Sequence, residues 1–307
     1  MYNILVTGGR GFIGTNLVAE LRGRGHSVYT CDILQGEDPQ HYKADCGEYQ
    51  QMEWIFNKHK FDFVYHLAAE YGRWNGEDHY QNLWKTNVIG TKNMLRLQEK
   101  HRFKMIFFSS AEVYGDYDEL MSEDVMEKIP LKQMNDYAIS KWAGELQCLN
   151  HAAMFGTETV RVRPVGCYGP HEYYSPYRGV IPIFVYHCLK NKPFKVYGSH
   201  KRIFDYVEDT CRTFANIADN FKSGEVYNIG SKEDWVVDIT TLAKLVIELT
   251  GADPKLASYQ SEEGFTTKVK TVDYSKSRKD LKHDATINLK EGLTRYIKWM
   301  RKVYEVK

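Results

Sequence analysis

The 307 residues are 43% hydrophobic and 26% charged, the proportions of a folded globular chain with apolar material enough for a core. Forty-one Lys and Arg against 40 Asp and Glu leave a formal charge of +1, without the basic excess of a nucleic-acid or membrane-surface binder. The length fits about two domains, and no uncharged apolar run of about 18 residues is present to span a membrane.

The N-terminus, Met1 to Val6, lacks the basic segment of a signal peptide and reads directly as a strand, Ile4 to Val6. A glycine turn and a helix from Phe12 to Arg22 follow. Further strands are expected at Ser27 to Cys31, Phe61 to His66, Lys104 to Ser109 and Thr157 to Val162. Helices are expected from about Glu77 to Lys100 and about Asp136 to Phe155. This alternation predicts an α/β fold, a Rossmann-type doubly wound parallel sheet with right-handed crossovers. After Pro164 the texture changes: Gly, Pro and Tyr cluster between Gly166 and Pro182. The expected division is a dinucleotide-binding core over 1–165 and a smaller α/β substrate domain over 166–307. Short strands after Gly224 are candidates to rejoin the first sheet. The last helix, Leu289 to Val303, packs on the body through Leu293, Ile297 and Met300. Six scattered cysteines without a CxxC pair read as reduced thiols of a cytoplasmic protein.

Thr7-Gly8-Gly9-Arg10-Gly11-Phe12-Ile13-Gly14 joins the first strand to the first helix. Glycines at 8, 11 and 14 suit a tight turn, backbone approach to a pyrophosphate at the helix N-terminus, and close helix–strand packing. Asp32 ends the second strand, where an acid binds the adenosine ribose hydroxyls and disfavours a 2′-phosphate. NAD is therefore the expected cofactor. Arg10, a guanidinium in the same loop, keeps NADP open.

Ser110 follows the fourth strand, and Tyr137 and Lys141 share a helix face in a YxxxK spacing. An ammonium beside a phenol favours the phenolate, which removes a hydroxyl proton while hydride leaves for a nicotinamide, and Ser110 holds the same oxygen. His and Cys show no zinc-ligand spacing, so no metal is expected, and neither a GxSxG elbow nor a GxxxxGK[ST] loop is present.

These segments, with His66-Leu67-Ala68-Ala69, Asn87 to Thr91, Ser109 to Gly115, Tyr137 to Lys141, Tyr168-Gly169-Pro170 and Asp273 to Lys276, resemble the extended short-chain dehydrogenase/reductase family. The resemblance is to its nucleotide-sugar epimerase/dehydratase group, of the UDP-glucose 4-epimerase kind, and runs nearly end to end. It implies Tyr137 as base, Lys141 as its partner, Ser110 as hydroxyl clamp and Asn87 as support. It implies a cofactor lining of Gly8, Gly11, Phe12, Ile13, Asp32, Asp45 and Cys46, continued by Leu67, Ala68, Ala69, Ser109 and Pro164. It also implies retained NAD, a nucleotide-diphosphate sugar substrate, and a homodimer through the helices containing Met94 and Ala143.

Departures from the family pattern narrow the reaction. Dehydratases of the group place Asp-Glu after the Ser/Thr; here Ala111-Glu112 stands there, which disfavours ordinary 4,6-dehydration and leaves Glu112 as a candidate base. Gly166 occupies a position where the family usually has Asn at the substrate's diphosphate. Arg202 keeps the register of a diphosphate contact, and a second is expected from Lys268 or, two residues on, Lys270. Arg73 and Arg178 lie in polar-aromatic stretches suited to a sugar and a base, and Tyr197 falls in the base-stacking segment. The leading expectation is an NAD-dependent C4 epimerase of a nucleotide-diphosphate hexose. The alternatives are a uronic acid decarboxylase or variant dehydratase using Glu112, then an NADPH-dependent keto-sugar reductase, and distantly a non-catalytic dinucleotide sensor.

Overall fold

The computed structural model describes residues 1–261, 263–264 and 266–306. Its centre is a seven-stranded, wholly parallel sheet. From one edge the order is Val226–Ile229, Thr159–Pro164, Lys104–Phe108, Phe63–His66, Asn3–Thr7, Ser27–Asp32 and His41–Lys43. The first strand pairs with Ser27–Asp32 on one side and Phe63–His66 on the other, so the winding reverses there. Above the carboxyl ends of strands at such a reversal lies the crevice in which open α/β sheets bind ligands.

Both faces of the sheet are covered, which is why its strands are apolar throughout. Ile4 and Val6 pack with Leu17, Leu21, Phe214 and Ile217 under helices Phe12–Gly23 and Val207–Asp219. Leu5 and Val64 face the opposite way, against Ile55, Phe56, Met94 and Leu97. The sheet therefore recruits a helix and its edge strand Val226–Ile229 from beyond residue 166.

The second lobe is built from helices Val180–Leu189, Ile239–Thr250 and Leu289–Val303 around Phe184, Leu242, Leu293, Tyr296 and Met300. Phe194–Tyr197 pairs with Ala257–Gln260 beside them. A four-stranded sheet of Val237–Asp238, Lys201–Arg202, Val269–Val272 and Leu120–Met121 lies at the boundary between the lobes.

The helix expected from Glu77 to Lys100 is not continuous. It is Arg73–Asp78, Tyr80–Trp84, a π-helix over Lys85–Gly90, and Thr91–His101. His79 leaves helical geometry at φ −128° and ψ 41°, and the wide π turn turns Asn87 inward, where it is buried. Apolar periodicity does not register a single inserted residue, so the pattern read as one helix. The strand His41–Lys43 and helix Tyr49–Lys58 were also not anticipated.

Helix Asp136–Phe155 begins and ends as read. Asn135 caps it by accepting the Ala138 N–H, and Gly156 closes it in the left-handed region at φ 62°. Four residues after Lys141 on this helix, fully buried Glu145 accepts hydrogen bonds from Arg163 Nε and Nη2 at 2.8 Å each. Arg161 donates at 3.2 Å and Ser109 at 2.5 Å. Burial would raise the Glu145 carboxyl, but the two guanidiniums outweigh it and hold it below the ordinary 4.5. Its contribution to stability is therefore present above that value and is lost as pH falls through the depressed one. Glu145→Gln leaves two buried guanidiniums without their anion and is expected to destabilise the protein by about 3–5 kcal/mol. Urea denaturation against the unaltered chain measures this.

Candidate active site

A cavity of about 480 Å³ opens above the sheet at the reversal. At one end the glycine loop meets the N-terminus of helix Phe12–Gly23, whose cap residue, Gly11, offers no side chain to its free amides. A Cβ on Gly14 would stand 2.1 Å from the Gly8 carbonyl oxygen, and Gly8 itself has φ +67° with the Ala68 backbone against it. The loop is thus closed on its own backbone, leaving room on the cavity side. Behind it, His66 shares hydrogen bonds with Thr7 Oγ1 at 2.8 Å and Thr91 Oγ1 at 3.3 Å. Burial pushes the imidazole down to about 3, so it is a neutral support of the floor.

Asp32 lines the cavity at the end of its strand and accepts the backbone N–H groups of Arg10 and Leu34, each at 3.0 Å. The Arg10 guanidinium lies along the neighbouring rim beside Gly36. Asp45 and Cys46 also line this end, with Asp45 bound to Lys85 at 3.0 Å. The Cys46 thiol is pushed up to about 12 by burial and is inert. Phe12, Ile13, Leu67, Ala68 and Ala69 supply apolar wall. A phosphate-cradling helix end, an apolar slot and a terminal carboxylate fit a dinucleotide with free ribose hydroxyls, so these residues accommodate NAD.

Ser110, Tyr137 and Lys141 meet at the other end, with Ser109 and Pro164 beside them. Ser110 Oγ accepts the Glu112 N–H at 3.2 Å, leaving its own hydrogen for Tyr137. Burial raises the Tyr137 phenol to about 12, with the Ser110 hydrogen bond opposing. Lys141 is buried and lowered by that burial to about 8; its Nζ donates to the Phe108 carbonyl at 2.8 Å. It stands 6.0 Å from the centre of the Tyr137 ring. Burial and the Ser110 hydrogen bond govern the phenol, and the lysine ammonium is turned onto a strand-end carbonyl.

Several expected contacts lie elsewhere. Asn87 does not line the cavity: its Nδ2 donates to Ser140 Oγ at 2.9 Å, and Ser140 donates to the Tyr137 carbonyl, so it positions the catalytic helix. Ser109 contributes backbone to the wall while its hydroxyl is turned onto Glu145. Gly166 has φ +58°, and a Cβ there would meet the Ile203 oxygen at 2.1 Å; it is a turn glycine outside the cavity lining. Tyr197 ends a strand paired with Ala257–Gln260, away from the cavity.

The phosphate expectations change most. Lys268 is exposed, whereas Lys270 is buried and bound to Glu112. In a parallel pairing with Lys201–Arg202, residues 268 and 270 differ in environment because the strand begins only at Val269. Burial would lift the Glu112 carboxyl, but the Lys270 ammonium outweighs it and holds the group ionised. Arg202 donates to the carbonyls of Lys201, Thr267 and Lys268 at 2.8–2.9 Å, and so fastens the 266–268 segment. Arg73 binds Glu263 at 2.8 Å and the Gly264 carbonyl at 3.2 Å. Arg178 does line the cavity, with its guanidinium 3.6 Å from the centre of the Tyr71 ring. Glu172 and Tyr71, which the motifs did not single out as site residues, line it too. Their signal was only a polar-aromatic stretch after a strand end. All six cysteines are free.

The family model of the NAD dependent epimerase/dehydratase family matches residues 4–230. A UDP-N-acetyl-alpha-D-glucosaminuronate decarboxylase of Bacillus cytotoxicus is 31% identical, over 97% of this chain and 98% of its own. A putative UDP-glucose 4-epimerase of Methanocaldococcus jannaschii is also 31% identical, over 97% and 98%. The structure of UDP-glucose 4-epimerase with UDP-glucose from Thermotoga maritima superposes with a TM-score of 0.88 at 28% identity, covering 98% and 99% of the two chains. Asp32→Ala removes the carboxylate that ends the second strand in the cavity, and is expected to weaken NAD binding about 10- to 100-fold while relaxing discrimination against NADP. Native mass spectrometry and cofactor titration read both.

Proposed function

Since this chain belongs to the NAD-dependent epimerase/dehydratase family, we propose that it acts on a nucleotide-diphosphate sugar by transient oxidation at C4, and that the outcome is C4 epimerisation. The observation that carries this reading is the state of Glu112. It is the carboxylate nearest in sequence to the Ser110 clamp, and Lys270 holds it ionised. Ala111, buried beside it, offers no acid. Loss of a C6 hydroxyl as water calls for a proton donor, and an ionised carboxylate is none.

Ser110 and Tyr137 converge on the sugar's C4 hydroxyl, Ser110 as hydrogen-bond donor and Tyr137 as the group that takes and returns the proton. Lys141, held by the Phe108 carbonyl, places positive charge behind the pair. Bound NAD supplies a hydride acceptor that later returns the hydride. Glu145 and Asn87 fix the helix from which Tyr137 and Lys141 project. Epimerisation then requires that the keto sugar present its other face while still enclosed.

A second reading is decarboxylation of a nucleotide-diphosphate uronic acid. It is favoured by the Bacillus cytotoxicus relative and by Arg178, a cation facing the reacting end. Incubation with UDP-, dTDP- and GDP-sugars, read by NMR, separates the outcomes. A C4 epimer with no net change of NAD is expected; CO2 release moves the reading to the lyase, and loss of water overturns both. Tyr137→Phe is expected to lower turnover about 10²–10⁴-fold with the fold intact by circular dichroism.

A further inference from the structure

Residues Gly72 to His79 leave the cavity wall at Tyr71 and run out to the second lobe. Their helix, Arg73–Asp78, buries only Asn75 and Gly76, and its large apolar side chain, Trp74, is 52% exposed. Six residues are too few to hold a helix alone, and no buried apolar side chain helps them. What keeps the segment in place is polar. On the cavity side, Asn75 Nδ2 donates to Glu70 Oε2 and to the Tyr71 carbonyl, each at 3.0 Å, and Glu77 accepts the Asp136 N–H at 3.3 Å. On the other side, two contacts reach residues beyond 166. The Tyr177 hydroxyl donates to Asp78 at 2.9 Å, and Arg73 binds Glu263 at 2.8 Å and the Gly264 carbonyl at 3.2 Å.

Both ends of the segment are turning points of the backbone. Gly72 has φ +88°, and His79 leaves helical geometry at φ −128° and ψ 41°. A short rigid piece between two such points is the construction of a hinged cover. Its place says what it covers. Tyr71, at its root, lines the cavity and carries the Arg178 guanidinium. Gly76 lies against the base-bearing helix, where a Cβ would stand 3.4 Å from the Tyr137 backbone nitrogen. The segment therefore bridges from the reacting end of the cavity to the second lobe.

We propose that residues 72–79 are a strap that opens to admit the nucleotide sugar and then closes the reacting end, latched by Arg73 on Glu263 and Asp78 on Tyr177, until the oxidised sugar has been reduced again. The inference rests on the proposed transient oxidation at C4. That oxidation sends the C4 hydride to bound NAD and the hydroxyl proton to Tyr137, and return of both restores the alcohol. A keto sugar that escapes in between carries off neither, and the protein is left with NADH. Retention of the keto sugar is thus a separate task from its formation, and a cover performs it. Exposed polar latches suit a cover that must open at every turnover, because such contacts are individually weak.

The test compares the unaltered protein with Arg73→Gln, Tyr177→Phe, their double variant, and Gly72→Ala. The last places a Cβ 2.6 Å from the Tyr177 carbonyl and strains the closed turn at its hinge. Binding is read on NAD-loaded protein in the Tyr137→Phe background with UDP-glucose and UDP-glucuronate, and with the same sugars on dTDP and GDP. Hydrogen exchange in 72–79 is expected to slow about ten-fold or more when a sugar is bound. Stopped-flow dissociation of that sugar should quicken about three-fold in each latch variant and about ten-fold in the double variant and in Gly72→Ala. With Tyr137 restored, the double variant should release keto sugar and accumulate NADH, read by its absorbance, at an unchanged thermal midpoint. Arg73→Glu combined with Glu263→Arg should return the dissociation rate most of the way, which a merely structural defect would not allow. Exchange in 72–79 that ignores the sugar, or dissociation that ignores both latches, overturns the strap and leaves the C4 reading standing. Latch-dependent dissociation without NADH in any variant supports the cover but overturns its retention of an oxidised sugar, and the C4 reading with it. Failure of every carrier to bind overturns both.

Discussion

The catalytic geometry hangs on one buried carboxylate. Glu145 lies on the same face of the helix as Tyr137 and Lys141, at successive four-residue steps, and takes four hydrogen bonds from two arginines of one strand and a serine at the end of another. Ser109 is the residue before Ser110, and Arg163 the residue before Pro164. One anion therefore fixes the helix that carries the base relative to the strand end that carries the clamp. Arg163 extends the knot to the Tyr114 hydroxyl, which donates to Asn228 on the last strand of the sheet. An apolar pair would pack as tightly, but it would not fix the rotation of the helix; satisfied polar networks are directional.

The charges around the site repeat this economy at lower stringency. Lys270 and Glu112 neutralise each other, Arg202 is surrounded by carbonyl oxygens, and Arg73 is held by Glu263. Each of these cations is held by the protein itself and lies outside the cavity lining. Arg178 lines the cavity itself, with its guanidinium stacked on Tyr71. A site with several arginines thus reduces to one whose charge is available to a ligand.

What could be read from the sequence was what neighbouring residues write together. The glycine loop, Asp32 at its strand end and the Tyr137–Lys141 spacing are local, and they do come together around one cavity. The sheet followed from apolar runs separated by helical periods. What escaped depends on partners distant in the chain. Lys268 and Lys270 look equivalent in sequence, and only pairing with Lys201–Arg202, 68 positions upstream, exposes one and buries the other. Arg202 keeps a family register, yet its environment makes it a clasp for the backbone of 266–268. Glu145 did leave a trace. Two arginines in the otherwise apolar run Thr159 to Val165 demand an anion, and a helix facing that strand was the place to look for it.

The edge strand Val226–Ile229 carries a consequence for biosynthesis. When Thr159–Pro164 has left the ribosome, it is an uncovered hydrophobic border, with Arg161 and Arg163 in it, and its neighbour is still untranslated. Such a border is a template for pairing with another nascent chain. The connection between the two strands includes helix Val207–Asp219, whose Phe214 and Ile217 are needed to cover one face of the sheet. The nucleotide-binding half is thus completed only after a portion of the other lobe has been made. A fragment ending near residue 165 would be expected to aggregate rather than fold, and the time between synthesis of the two strands is the interval in which this chain depends most on a chaperone.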